Sequence, residues 1–298
     1  MISVISYISK DIIIKPGSVI EKKIGGTGYY AGIALAKLGK STNLYIHAEA
    51  ESDDLLKLID EKNLKVYKIV SETYKYPRFY NVFLDKSLNN RIFKADLSSF
   101  FYDYEFFNEE MKESLSDSEY IHLAPASHTN LTEIFMGTLK TGKAKLSAEL
   151  QFLIKSVDSD GNQNSVNKDQ FYSLIRFFDI VNISIEDLHF LKINNSIHNV
   201  LIEISKMGPH EIILTLGSKG SLIYSAKENK FYEINPIKPK KIIDPVGCGD
   251  TYIASYLYAR SNHYCIEDAG NFAAKIASHK LGQKGAYSGN IKNTIINT

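Results

Sequence analysis

The chain has 298 residues, 44% of them hydrophobic, with 35 Lys and Arg against 34 Asp and Glu for a net charge of +1. That length suffices for one large α/β domain, and the charge balance argues against a general binder of nucleic acid or acidic membranes, whose affinity rests on a basic surface. Two cysteines, Cys248 and Cys265, make neither a metal-spaced set nor a disulfide framework, so a reduced, cytoplasmic setting is expected.

The apolar start, MISVISYISKDIII, is β-branched, broken by Lys10 and Asp11, and too short to span a bilayer; it reads as a strand, with no targeting or membrane segment expected. A Pro16-Gly17-Ser18 turn between two β-rich runs then predicts a hairpin over about residues 12–24. In IGGTGYYAGIALAKLG, Gly28, Ala31, Gly32 and Ala34 to Ala36 give a helix with a small-residue face, closing at Gly39. Strand TNLYIHA leads to helix SDDLLKLIDEKN, with Ser52 as cap and Leu55, Leu58 and Ile59 inward. Residues 65–107 interrupt this βαβ rhythm: VYKIVSE, RFYNVFL and NRIFKAD alternate like antiparallel strands and, with the hairpin, predict a small sheet acting as a lid. Their rings, Tyr74, Tyr76, Phe79, Tyr80, Phe83 and Phe93, are expected to pack.

From residue 120 the rhythm returns, with strand YIHLAPA, helix LTEIFMGTLKT and strand AKLSAELQFL. The polar stretch SVDSDGNQNSVNKD reads as a surface connection, since Asp158 and Asp160 do not complete a calcium loop. In FFDIVNISIEDLHFL a strand enters a helix start, and Ser184-x-x-Asp187 has the spacing of a helix capping box. EIILTLGSKGSLIY is strand, turn, strand, with Thr215, Gly217 and Gly220 at the turn. Then comes IIDPVGCGDTYIASYLYAR, a strand end, a glycine turn and a helix with Ile253, Tyr256, Leu257 and Arg260 at helical spacing. Gly247 and Gly249 lack a Cβ, which lets the backbone converge its N–H groups on an anion at a helix N-terminus. Asp250, in the first turn of that helix, is kept ionised by the dipole. A carboxylate beside a phosphate nest makes chemical sense as acceptor of a hydroxyl proton while the nest holds charge on a transferring phosphoryl group. Alternating strands and helices with turns at strand ends imply a doubly wound, mostly parallel sheet with its ligands at the strand C-termini.

DPVGCGDTY resembles the C-terminal signature of the PfkB, or ribokinase-like, kinases, Asp-Thr-x-Gly-Ala-Gly-Asp: Asp244, Gly247, Gly249 and Asp250 match, while Pro245 and Cys248 replace Thr and Ala. Gly25-Gly26 before a helix ending in Leu38-Gly39 resembles the family's N-terminal pattern, although Tyr30, preceded by Tyr29, stands where many relatives have Asn. Glu149 and Gln151 fall where archaeal relatives have Asp-x-Gln-Gly. The resemblance implies a single ribokinase-like domain over 1–298, a three-layer sandwich whose β-sheet lid is formed by about 12–24 and 65–107. It also implies an ATP- and Mg2+-dependent kinase acting on an alcohol group of a small polyhydroxylated acceptor, and leaves open a monovalent cation. Asp250 would be the base, with Gly247, Cys248 and Gly249 as anion hole. Asp11, Gly25, Gly26, Tyr29 and Tyr30 would line the acceptor pocket. Thr215, Gly217, Gly220, Asp244, Asn271 and Ala274 would bind the nucleotide, and Glu186 and Asp187 would stand in for the family's metal-organising Asn-x-x-Glu. Family lids pair between subunits, so a homodimer through the lid is expected. Stacking of a base on Tyr29 and Tyr30 favours a nucleoside, phosphorylated on its 5′-hydroxyl with broad base specificity; a sugar or inositol kinase is the alternative. A non-catalytic nucleotide- or sugar-binding regulator on the same fold is the second alternative, because fold does not fix function.

Overall fold

The structure is a computed structural model that describes residues 1–17, 19–49, 56–57, 59, 61–84, 91–97, 100–158 and 160–289. In chain order the strands among these are β1 (Ile2–Ser6), β2 (Ser9–Lys15), β3 (Val19–Gly25), β4 (Thr42–Glu49), β5 (Leu64–Ser71), β6 (Arg78–Phe83), β7 (Arg91–Asp96) and β8 (Tyr120–Ala124). There follow β9 (Lys145–Glu149), β10 (Lys155–Val157), β11 (Gln163–Ser165), β12 (Ile180–Ser184), β13 (Glu211–Thr215), β14 (Ser221–Ser225) and β15 (Lys230–Ile234).

Nine strands make one sheet, ordered β15-β14-β13-β12-β9-β8-β1-β4-β5. It is parallel from β5 to β13 and ends in the antiparallel pairs β13–β14 and β14–β15. Side chains alternate across such a strand, so β1 sends Ile2 and Val4 to one face and Ile5 to the other. The first face is covered by helices Thr27–Lys37, Cys248–Ser261 and Ile266–Leu281, and the second by Glu109–Ser116, Glu133–Lys140, Lys168–Ile175 and Ile197–Lys206. Two apolar layers therefore sandwich the sheet, as the doubly wound reading expects. Short polar residues start the outer helices: Asn108 accepts a hydrogen bond from Met111 N at 2.9 Å and Thr132 from Phe135 N at 3.1 Å. No helix among the described residues is long and apolar enough to cross a membrane.

A second sheet, ordered β3-β2-β6-β7, stands apart from the first. The predicted lid included residues 65–71, but β5 pairs in parallel with β4 over its full length and forms the edge of the main sheet. Residues 104–106 are a short 3-10 turn outside either sheet. The polar stretch after β9 is more than a connection: β10 and β11 pair as a hairpin, and Gly161 O accepts from Ala95 N at 3.2 Å, covering the free edge of β7. Ile59 is buried as expected, whereas Ser52, Leu55 and Leu58 lie outside the described residues. Tyr74, Tyr76, Phe79 and Phe83 are buried, in keeping with packing roles.

Candidate active site

The direction of the chain's progress across the main sheet reverses at β1: β4 and β5 lie on one side of it, and β8, β9, β12 and β13 on the other. A crevice opens at the C-terminal ends of strands where the order reverses. Immediately past that end of β1, Tyr7 O accepts from Gly28 N at 3.0 Å, which seats the start of the Thr27–Lys37 helix there. In the small sheet, β2 and β3 place Asp11 opposite Lys23 and Ser9 opposite Gly25. A Cβ on Gly25 would fall 2.1 Å from Asp11 Oδ2, so only glycine lets the chain pass the carboxylate on its way into the helix. Asp11 is 4% exposed, accepts from Ser9 Oγ at 2.6 Å, and is pushed up to about 6, first by burial and then by the charge of Asp250 against the relief given by Ser9 and Lys23.

The turn after Ile243 has the geometry of an anion site. Gly247 is in the left-handed region at φ 80° and caps the Cys248–Ser261 helix; Gly249 is helical, exposed, and a Cβ on it would meet nothing within 4 Å. The sequence reading gave both glycines the same conformational role, but only the first needs its freedom. The second keeps open the space in front of the helix's unbonded N–H groups. Asp250, half-buried in the first turn, accepts from Thr27 Oγ1 at 2.8 Å, so the helix starts at 27 and at 248 meet at one point. Cys248 points its thiol toward the carbonyls of Asp244 and Ala277, and burial pushes its pKa up to about 11, leaving a neutral filler.

Tyr30 has no open face for an acceptor, and Tyr29 keeps only part of its surface open. Tyr30 is 1% exposed and its ring lies directly behind Gly247, where a Cβ would come within 2.2 Å of it; Tyr29 packs edge-on to it, with its hydroxyl near Gly285 and the backbone of Ala286. Both brace the anion turn. Asp244 has a similar part. Its carboxylate accepts from Lys23 Nζ at 2.6 Å, Gly285 N at 3.0 Å and Val246 N at 3.1 Å, which uses it to fix the turn and leaves it poorly placed to meet a nucleotide. Thr215, Gly217 and Gly220 form the β13–β14 turn, with Gly217 exposed. On the Ile266–Leu281 helix Asn271 is exposed, while Ala274 is packed in the core.

Asp187 is held by Lys155, Nζ to Oδ1 at 2.8 Å, and Glu186 is exposed, its backbone N–H donating to Ser184 Oγ at 3.0 Å. Among the described residues no three His, Cys, Asp or Glu side chains gather as a metal cage. Magnesium keeps several of its own waters and is commonly held through substrate phosphates with one or two carboxylates, and the carboxylates of Glu186 and Asp187 are a donor set of that kind. Sequence reasoning gave no role to Glu149, which is buried at the end of β9 with Asn182 Nδ2 donating at 2.9 Å to each of its oxygens. Burial, then the charge of Asp250, holds it well above the usual carboxylate range. Lys23, Thr27 and Asn81 were also missed; Asn81 is buried on the inward face of the small sheet. For Thr27 the signal was its place directly after Gly25-Gly26.

A family model described as pfkB family carbohydrate kinase matches residues 2–293. The chain belongs to that family. It is therefore a phosphotransferase with an alcohol group as acceptor. A nucleoside kinase of Methanocaldococcus jannaschii is 27% identical to this pfkB-family chain over 270 residues, 89% of the chain and 81% of the relative. The fold of this chain is similar to that of a pyrophosphate-dependent kinase in the ribokinase family complexed with a pyrophosphate analog and myo-inositol, at TM-score 0.82 and 19% identity with both chains covered completely. The crystal structure of Methanocaldococcus jannaschii nucleoside kinase superposes at TM-score 0.70 and 21% identity, covering 99% of this chain and 96% of that one.

Proposed function

We propose that this pfkB-family kinase is an ATP- and magnesium-dependent nucleoside kinase that phosphorylates the 5′-hydroxyl. The observation that carries the acceptor is the similarity to a nucleoside kinase over 89% of the chain, since Tyr30 is buried and the half-buried Tyr29 packs against it, which takes away the support from base stacking. In this reading Asp250 accepts the acceptor hydroxyl's proton, and Thr27 orients the carboxylate by donating to Oδ1. The N–H groups at 247–249 hold the charge that develops on the transferring group. Asp11 binds acceptor hydroxyls, and the β13–β14 turn with Thr215, Gly217 and Gly220 faces the nucleotide. Bound with the donor, magnesium supplies charge neutralisation at the phosphoryl oxygens, and Asp187 with Glu186 would orient its waters. A panel of inosine, cytidine, ribose and myo-inositol tests the acceptor: the nucleosides should show the highest kcat/KM, and a higher value for myo-inositol or ribose would sink this reading.

For Asp11 to accept two hydroxyl hydrogen bonds it must be ionised, and with its pKa raised to about 6 the ionised fraction grows through that pH. Acceptor KM should fall as pH climbs from about 5 to 7, and Asp11→Asn should remove that limb. The stability linkage has the opposite sign: the folded state holds the Asp11 proton to higher pH than the unfolded chain, so this group's contribution weakens as pH rises from about 4 to 6.

The small sheet acts as a lid that closes over the acceptor and excludes water from the phosphoryl group. On its outward face Ile20, Ile14, Val82 and Ile92 stand in register across all four strands, with Ile20 62% exposed. Such a row is an expected contact between two copies of the chain. Light scattering should report a dimer for the wild type and a monomer for Ile20→Lys with Ile92→Lys; a wild-type monomer would overturn the pairing.

A further inference from the structure

Among the described residues Lys280 is a lysine with 0% exposure, and the mechanism above makes no use of it. Its ammonium donates to Asp244 O at 2.7 Å, lies 3.8 Å from Asp244 Oδ2, and sits 5.4 Å from the centroid of the Tyr30 ring. A buried charge persists only where partners replace water. Burial lowers the pKa of this amine, the charges of Asp244 and Asp250 push back, Lys23 adds to the lowering, and the neutral thiol of Cys248 lies nearby. These partners are also the parts of the anion turn: the residue that opens it, the thiol inside it, and the ring behind it.

The charges explain why an ammonium belongs there. A turn built to take a polyanion carries Asp244 at one end and Asp250 at the other, two negative charges that repel the guest. Lys23 offsets one of them, but it comes from β3 in the small sheet, the element proposed above as the lid. Lys280 comes from the end of the Ile266–Leu281 helix, whose Leu281 O accepts from Ile243 N at 2.9 Å and Asp244 N at 3.3 Å. Its charge is therefore tied to the turn whatever the small sheet does. Donation to a main-chain carbonyl, with a carboxylate and an aromatic face alongside, is also the surrounding a small monovalent cation would seek.

We propose that Lys280 is a positioning residue: a built-in counter-ion that fills the place of a monovalent cation behind the anion turn and makes binding of the phosphoryl donor independent of potassium or sodium. The inference rests on the turn at 245–250 binding donor phosphate. Donor KM should be measured in potassium chloride and in tetramethylammonium chloride at equal ionic strength, so that screening cancels. The wild type should give the same value in both to within about twofold. Lys280→Ala, which vacates the space, should raise donor KM about tenfold or more in tetramethylammonium, the range for losing a hydrogen bond from a charged group. Potassium or ammonium should then restore most of it. Lys280→Met, which keeps the stem and leaves no room for an ion, should show the same defect without rescue. A wild-type donor KM that drops several-fold on adding potassium overturns the proposal without any variant, and covers the case in which Lys280→Ala does not fold. A folded Lys280→Ala with unchanged KM, or a raised KM that no cation lowers, overturns it as well. Absence of wild-type turnover with every donor and acceptor, in either salt, instead overturns the kinase reading on which it rests.

Discussion

Asp250→Asn should lower kcat at least ~10²-fold, the lower range for loss of a general base, while donor affinity measured by calorimetry stays equal or becomes tighter. The amide keeps the shape of the carboxylate and can still accept from Thr27 Oγ1, so the meeting of the two helix starts survives. What it loses is the ability to take a proton. What it removes besides is a negative charge beside the nest, which is why donor binding should not suffer. A second effect separates this variant from simple damage: the charge of Asp250 raises the pKa of Asp11, so its removal should move the acid limb of acceptor KM to lower pH. Turnover within threefold of wild type would take Asp250 out of the mechanism. Thr27→Val, which leaves the carboxylate without its orienting hydroxyl, should produce a smaller fall in kcat with little change in either KM.

The parts of this site that could be read from the sequence are those in which local geometry limits the spelling. Gly247 must be left-handed to start its helix, Gly25 must pass a carboxylate, and the order of turns along the chain carries the doubly wound sheet. Facing could not be read where an element is buried all round. Nearly the whole of the Thr27–Lys37 helix is covered, so its apolar periodicity has no dry side to indicate, and the position of Tyr30 relative to Gly26 did not reveal that its ring points behind Gly247. β5 was misplaced for a related reason. As the edge of the parallel sheet it is half-exposed, and its alternation of buried and open positions is the pattern of a lid strand. The two lysines that neutralise the turn reach Asp244 across 221 and 36 residues of sequence, and neither has a local signature.

Gly247→Ala should abolish most activity by moving the anion turn, with a loss of about 10²-fold in kcat/KM, the scale expected when catalytic groups are misplaced by about an ångström. The left-handed φ of 80° alone costs an alanine roughly 1–2 kcal/mol. The larger difficulty is steric, because the new Cβ would fall 2.2 Å from the Tyr30 ring. That ring cannot swing away: it is 1% exposed, Tyr29 lies against it at 4.9 Å between centroids, and the Lys280 ammonium sits over it. The turn has to yield instead, carrying the N–H groups at 247–249 and Asp250 with it. A double-mutant cycle with Tyr30→Ala tests this directly. Tyr30→Ala alone should cost about 3–5 kcal/mol of stability, as for other large buried aromatics, and leave the ranking of acceptors unchanged. Combined with Gly247→Ala, the space it opens should make the pair less damaging than the sum of the two. Strict additivity in kcat/KM, or a Gly247→Ala enzyme within twofold of wild type, would show that the turn does not lean on Tyr30.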